Sequence, residues 1–127
     1  MSTTAILVSA ETKYLEARSD ATLNRFAFAY SITIHNTGDR PARLLEREWI
    51  VVSDNGKRQE IRGPGVIGQQ PRLKPGTRFS YTSWVLLETP TGQMKGRYFF
   101  TTDDGETFWA DVPPIPFAIP GERPVLH

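Results

Sequence analysis

Residues 26–34 read Phe-Ala-Phe-Ala-Tyr-Ser-Ile-Thr-Ile. Phe26, Phe28, Tyr30, Ile32 and Ile34 share one parity, while Ala27, Ala29, Ser31, Thr33 and His35 share the other. A helix would scatter those large side chains around its circumference. An extended strand gathers them on one face, so this stretch reads as a long, half-buried β-strand. Asn36-Thr37-Gly38-Asp39 supplies turn chemistry after it, and Pro41 discourages continuation. A second strand is predicted from Leu44 to Ser53. It ends at Asp54-Asn55-Gly56, where Asn-Gly is the strongest short hairpin signal, and Lys57 to Ile61 returns as its partner.

A loop is expected from Arg62 to Gly76, with Gly63, Pro64, Gly65, Gly68, Pro71, Pro75 and Gly76 in it. Arg78 to Trp84 reads as the next strand, and Thr89-Pro90-Thr91-Gly92 punctuates again. Met94 to Thr101 and Glu106 to Val112 form a hairpin across Asp103-Asp104-Gly105. Upstream, Ile6 to Ala17 is a first strand with Ile6 and Val8 on one face, and Glu11 to Arg18 offers an alternative helical turn. The proline-rich tail from Pro113 through Pro124 must be extended and can pair only as a sheet edge. Short strands at regular turn spacing predict an all-β fold, an antiparallel β-sandwich of immunoglobulin or fibronectin type III form. A closed barrel is the competing architecture. The 127 residues suit one domain, with no repeat or linker to mark a second.

Composition narrows the function classes. Fifteen Lys and Arg face 14 Asp and Glu, giving a formal net charge of +1. The basic positions interleave with acidic ones, so no stripe for nucleic acid is expected. The chain has no cysteine, which removes a disulfide scaffold, a thiolate metal site and a cysteine nucleophile together. No window approaches the about 20 apolar residues of a membrane helix. Met1 to Ala10 has no basic region, and its apolar run from Ala5 to Val8 is too short for a secretory signal. A cytoplasmic protein without membrane insertion is the expectation.

Four segments together resemble the ApaG family, also called CorD. They are Arg62 to Pro71 (Arg-Gly-Pro-Gly-Val-Ile-Gly-Gln-Gln-Pro), Leu73-Lys74-Pro75-Gly76, Tyr81-Thr82-Ser83 with Leu87-Glu88-Thr89-Pro90, and Gly92 to Tyr98. The strand Phe26 to Asn36, the pair Trp49-Ile50 and the closing Val125-Leu126-His127 also fit, so the likeness spans nearly the whole chain. The resemblance implies a single ApaG-like domain over residues 1–127 with a fibronectin-like sandwich. It also implies an association with cobalt and magnesium efflux or cobalt resistance, without a described catalytic step. Related domains inside larger eukaryotic proteins, including an F-box protein, imply a binding role. Two positions depart from the family pattern. Glu48 stands where a histidine often precedes the tryptophan, and Trp84-Val85-Leu86 stands where a Gly-Cys-Pro-like stretch is common.

Gly63-Pro64-Gly65-Val66-Ile67-Gly68 has the glycine spacing of a dinucleotide-binding turn. That reading needs a helix opening on the third glycine and an acidic residue about 20 positions later. Pro71 and Pro75 block such a helix. The expected structural role is a glycine-shaped connection between sheets. A backbone nest flanked by Arg62, Arg72 and Lys74 remains the route to a small anion.

Metal ligation has little to draw on. His35 lies opposite the aromatic face, His127 is the last residue, and neither has a histidine at ligand spacing. Asp103 to Glu106 is explained as a hairpin turn, so no metal site and no cofactor are expected. Ser80 and Ser83 lack a nucleophile elbow, and Glu46 and Glu48 sit on one strand face, so no enzyme is expected.

Two functions survive. One is a non-enzymatic interaction module whose glycine-rich loop or proline-marked edge meets a protein partner, with Trp84 the candidate contact aromatic. Of Trp49, Trp84 and Trp109, at least one should be core. The same surface would also serve to close a homodimer. The other is a small-ligand binder taking a phosphate-type anion or a divalent cation at Arg62, Gly63, Gly65, Gly68, Arg72 and Lys74.

Overall fold

A computed structural model describes residues 5–121 of the chain. The segment around Phe26 is β2 of eight strands: β1 (Ile6–Tyr14), β2 (Phe26–Asn36), β3 (Ala42–Ser53), β4 (Arg58–Pro64), β5 (Arg72–Leu73), β6 (Arg78–Leu87), β7 (Thr91–Thr102) and β8 (Thr107–Ala118). Every pairing is antiparallel. One sheet has the order β1-β2-β6. The other has the order β4-β3-β7-β8, with β5 also pairing β3. The two sheets form a β-sandwich, as the alternation in β2 predicts.

The core lies where the two inner faces meet. Phe26, Phe28, Tyr30, Ile32 and Ile34 are all buried, and so are Trp49, Val51, Tyr98, Phe100 and Phe117 from the opposing sheet. Aromatic rings join the layers: Phe28 lies 5.2 Å from Phe117 and Tyr30 6.2 Å from Trp49, while Trp49 meets Tyr98 edge-on at 5.6 Å. These offset and edge-on contacts are the favoured aromatic geometries. Buried Asn36 is fully used: its amide donates to Arg40 O and Leu73 O, and its Oδ1 accepts from Gly38 N. That side chain ties the end of β2 to β5.

Several boundaries differ from the sequence reading, each for a local reason. β1 stays extended to Tyr14 because it ladders against β2, and the helical tendency survives only as the 3-10 turn Glu16–Arg18. A second 3-10 turn, Ala21–Leu23, is capped by Asp20, which accepts from Thr22 N at 3.0 Å. β4 runs on to Pro64, so Arg62 and Gly63 belong to a strand and not to the loop. β8 runs through Pro113, Pro114 and Pro116 because it is an edge strand, where missing N–H groups cost nothing. Pro113 and Pro114 fall where the β7–β8 register shifts, between the pairs Met94↔Ile115 and Gly96↔Val112. Pro124 and the Val125-Leu126-His127 match lie outside the described residues.

Candidate functional site

The glycine-rich connection leaves the second sheet at the end of β4 and folds into a two-residue turn. Val66 N donates to Gln69 O at 2.8 Å, and Gln69 N donates back to Val66 O at 2.9 Å. The central residues, Ile67 (φ 43°) and Gly68 (φ 77°), are both left-handed, which is the requirement of a type I′ turn. Gly65 is also left-handed at φ 60°, and a Cβ there would lie 2.1 Å from Gln69 O. Only glycine fits that position. Val66 is buried and pins the turn to the core.

The polar groups of this turn face the protein's own cations and carbonyls. Gly65 N donates to Leu45 O at 2.7 Å. Arg47 from β3 donates through Nη1 to Pro64 O at 3.1 Å and Gly65 O at 3.0 Å. Its guanidinium covers Gly63, where a Cβ would come within 3.0 Å of Nη1. Arg43 donates to Gln70 O at 2.8 Å, and the Gln70 side chain returns a bond to Leu45 O at 3.0 Å. A phosphate cradle presents converging N–H groups to its ligand. Here carbonyls converge on arginines, and Ile67 projects from the tip with 54% of its surface exposed.

Behind the turn, the Tyr81 and Tyr98 hydroxyls meet at 2.6 Å in the core. Burial pushes both phenols well above the ordinary tyrosine range, and each also feels its partner.

The predicted cations do not converge. Arg62 projects from β4 and pairs with Glu48 at 3.5 Å, a carboxylate that also takes Arg97 at 3.4 Å. Arg72 reaches the β7–β8 turn, where Nε donates to Asp103 Oδ1 at 3.0 Å and Nη2 to Oδ2. That guanidinium holds the Asp103 carboxyl below the ordinary range. Lys74 contributes its carbonyl, which accepts from Thr77 N and Thr77 Oγ1. Trp84 lies on the other sheet, 56% exposed beside Leu86 on the outer face of β6.

What joins the turn instead is a depression of about 270 Å³ lined by Glu46, Glu48, Arg62, Gly63, Pro64 and Trp109. Trp109 is partly exposed, packs at a tilt against Phe99 with centroids 4.8 Å apart, and carries Arg97 over its ring at 3.8 Å. Arg47, Ile67 and Arg97 were not singled out from sequence. An Ile-Gly pair is a weak signal for this turn, because a β-branched residue rarely accepts positive φ. Trp49 is the core tryptophan of the three. Among the described residues, no trio of His, Asp or Glu could hold a metal ion, and no helix is long and apolar enough to cross a membrane.

Comparison with known proteins agrees with this architecture. Residues 16–102 match the model of the ApaG domain. The chain is 46% identical over 123 residues to Protein ApaG of Methylobacillus flagellatus, covering 97% of this chain and 94% of that one. It is 47% identical over 122 residues to Protein ApaG of Aromatoleum aromaticum, covering 96% and 94%. A crystal structure from Bordetella pertussis described as ApaA superposes with a TM-score of 0.90 at 38% identity, covering 94% of this chain and 97% of that one. The chain therefore belongs to the ApaG family.

Proposed function

We propose that this protein is a non-enzymatic, cytoplasmic interaction module, one domain over residues 1–127. It influences cobalt or magnesium efflux indirectly, by contacting a protein partner through the glycine-rich turn and the adjoining Trp109 surface. The carrying observation is Ile67. A β-branched residue held at positive φ persists only where its surroundings over-determine it. The turn spends that strain on placing an apolar side chain in solvent, a chemistry suited to a partner's apolar pocket. Ile67 stands at the tip of the connection whose base, Gly63 and Pro64, lines a depression with Trp109.

The small-ligand alternative draws less support. The amides of Gly65, Val66 and Gln69 are already bonded within the chain, and Arg62 and Arg72 already face carboxylates. The test places a photo-crosslinking residue at position 67, with position 57 on the β3–β4 turn as control. One discrete adduct from position 67 only, together with loss of cobalt tolerance in cells carrying Ile67→Asp, is the expected result. Full tolerance with a folded Ile67→Asp chain would sink the reading. Saturable stabilisation by pyrophosphate that Arg62→Ala abolishes would replace it with the ligand-binding one.

A further inference from the structure

Four strand edges bound the two sheets, and three carry features that discourage pairing with another chain. β1 has Glu11 and Lys13, β4 alternates Arg58, Glu60 and Arg62, and β8 has Pro113, Pro114 and Pro116. Charges and prolines are the usual protection of exposed edges. β6 is ten residues long and lies at an edge, with β2 its sole ladder partner. From Phe79 to Leu87 it contains no charge, proline, glycine or register shift. It is an unprotected edge carrying exposed Trp84 and Leu86.

The backbone phase shows which groups that edge offers. Asn36 N donates to Thr77 O at 3.0 Å, and on the other side of β2 Leu15 N donates to Ala27 O at 2.8 Å. Even-numbered residues of β2 therefore bond towards β6, and odd-numbered ones towards β1. Given the β2–β6 register, the odd residues of β6 face β2, while the N–H and C=O groups of Ser80, Thr82, Trp84 and Leu86 point to the open side. Gln59 Nε2 donates to Leu86 O at 2.8 Å, which confirms the phase. That carbonyl keeps a second lone pair.

We propose that this edge is occupied by a second copy of the chain, β6 pairing antiparallel with its equivalent about a two-fold axis at Ser83. In that register Thr82 opposes Trp84 of the second copy, Ser80 opposes Leu86 and Arg78 opposes Glu88. The opposed pairs Thr82–Trp84 and Ser80–Leu86 are even-numbered, so outward N–H and C=O groups meet there from both sides. Glu88, whose N–H donates to Ser53 Oγ, meets Arg78 through its side chain. Arg78 and Glu88 are both exposed and neither forms an ion pair among the described residues. The two-fold axis pairs them twice. The two copies of Trp84 become diagonal neighbours on one face, within reach of aromatic side chains. The three-stranded sheet becomes a six-stranded one, closed by an isologous interface. This proposal stands on β6 alone and is independent of the glycine turn.

Sedimentation equilibrium of the full chain over a concentration series tests it, with circular dichroism to confirm that each variant is folded. A reversible monomer–dimer equilibrium is expected. Arg78→Glu and Glu88→Arg should each raise the dissociation constant about tenfold, and combining them in one chain should restore it. Thr82→Pro, which removes an outward N–H and one exposed hydroxyl contact to Ser31, should leave a folded monomer. A chain that stays monomeric, including one that takes a foreign extended peptide at this edge, overturns the proposal. So does a dimer untouched by folded Thr82→Pro, or one that the charge swap fails to restore.

Discussion

Ile67 carries a cost that glycine would not. A left-handed conformation costs an L-residue roughly 1–2 kcal/mol, and Ile67 sits at φ 43°. Ile67→Gly is therefore expected to stabilise the fold by about 1 kcal/mol in urea unfolding, after allowing for the added freedom of the unfolded chain. The same change should weaken the position-67 contact, so stability and activity would move in opposite directions. Gly96 makes the contrasting case. A Cβ there would lie 2.2 Å from Trp49 Cε3 and 2.4 Å from Glu48 O, with backbone on one side and a buried indole on the other. Gly96→Ala should cost about 3 kcal/mol or prevent folding, as an overpacked site with nowhere to relax.

Two connections are held by side chains from distant parts of the chain. Arg47 spans from β3 to the glycine turn, and its loss leaves the Pro64 and Gly65 carbonyls without their donor. Arg47→Ala should cost roughly 1–3 kcal/mol and speed exchange of the Val66 and Gln69 amides, measured by hydrogen–deuterium exchange. The β7–β8 turn is clipped by Arg72 to Asp103 and by Arg40 to Asp104 and Glu106. Arg72 lowers the Asp103 carboxyl, and the Thr102 hydroxyl does most to lower that of Asp104. With the folded value depressed, the unfolded chain takes up protons first, at about pH 4. The clip's contribution is therefore present above about pH 4 and is lost as pH falls through the folded values. Urea midpoints of wild type and Asp103→Asn/Asp104→Asn should differ slightly at neutral pH and converge in acid. Added salt should shrink the difference, since these carboxylates face solvent.

The sandwich as a unit depends on polar groups buried between its layers. Tyr81 from the first sheet and Tyr98 from the second share a hydrogen bond in the core, next to Trp49. Both phenols are raised by burial, so the folded state holds their protons more tightly than the unfolded chain does. Their contribution is fully present below about pH 10, where unfolded tyrosine titrates, and falls as pH rises beyond it. The Tyr81→Phe/Tyr98→Phe chain should therefore show a shallower loss of stability in alkali than wild type, followed by thermal unfolding from pH 8 upward. Removing Tyr98's hydroxyl alone should be worse than removing both, because Tyr81 is then left buried and unpaired.

The alternation from Phe26 to Ile34, the Asn-Gly and Asp-Gly turns and the prolines of the tail state the sandwich in local terms. A period of two assigns each side chain to a face, and a proline excludes a strand from the middle of a sheet; neither depends on what lies across the ladder. The ApaG-like segments were legible in the same way, as residues in order. Other features depend on strand pairing. Arg47 reaches the Pro64 and Gly65 carbonyls, Glu48 is shared by Arg62 and Arg97, and Asp103 draws Arg72 away from the glycine turn, all through contacts between residues far apart in the chain. The glycine spacing from Gly63 to Gly68 marks a connection that needs unusual dihedrals. It does not state whether N–H groups or carbonyls converge there, because that direction depends on the torsions and on which side chains the second sheet brings alongside. Composition and periodicity thus specified the architecture and its turns, which are properties of neighbouring residues. The polarity of the glycine turn, the exposure of Ile67 and the open edge at β6 arose from long-range register, which no single stretch of chain contains.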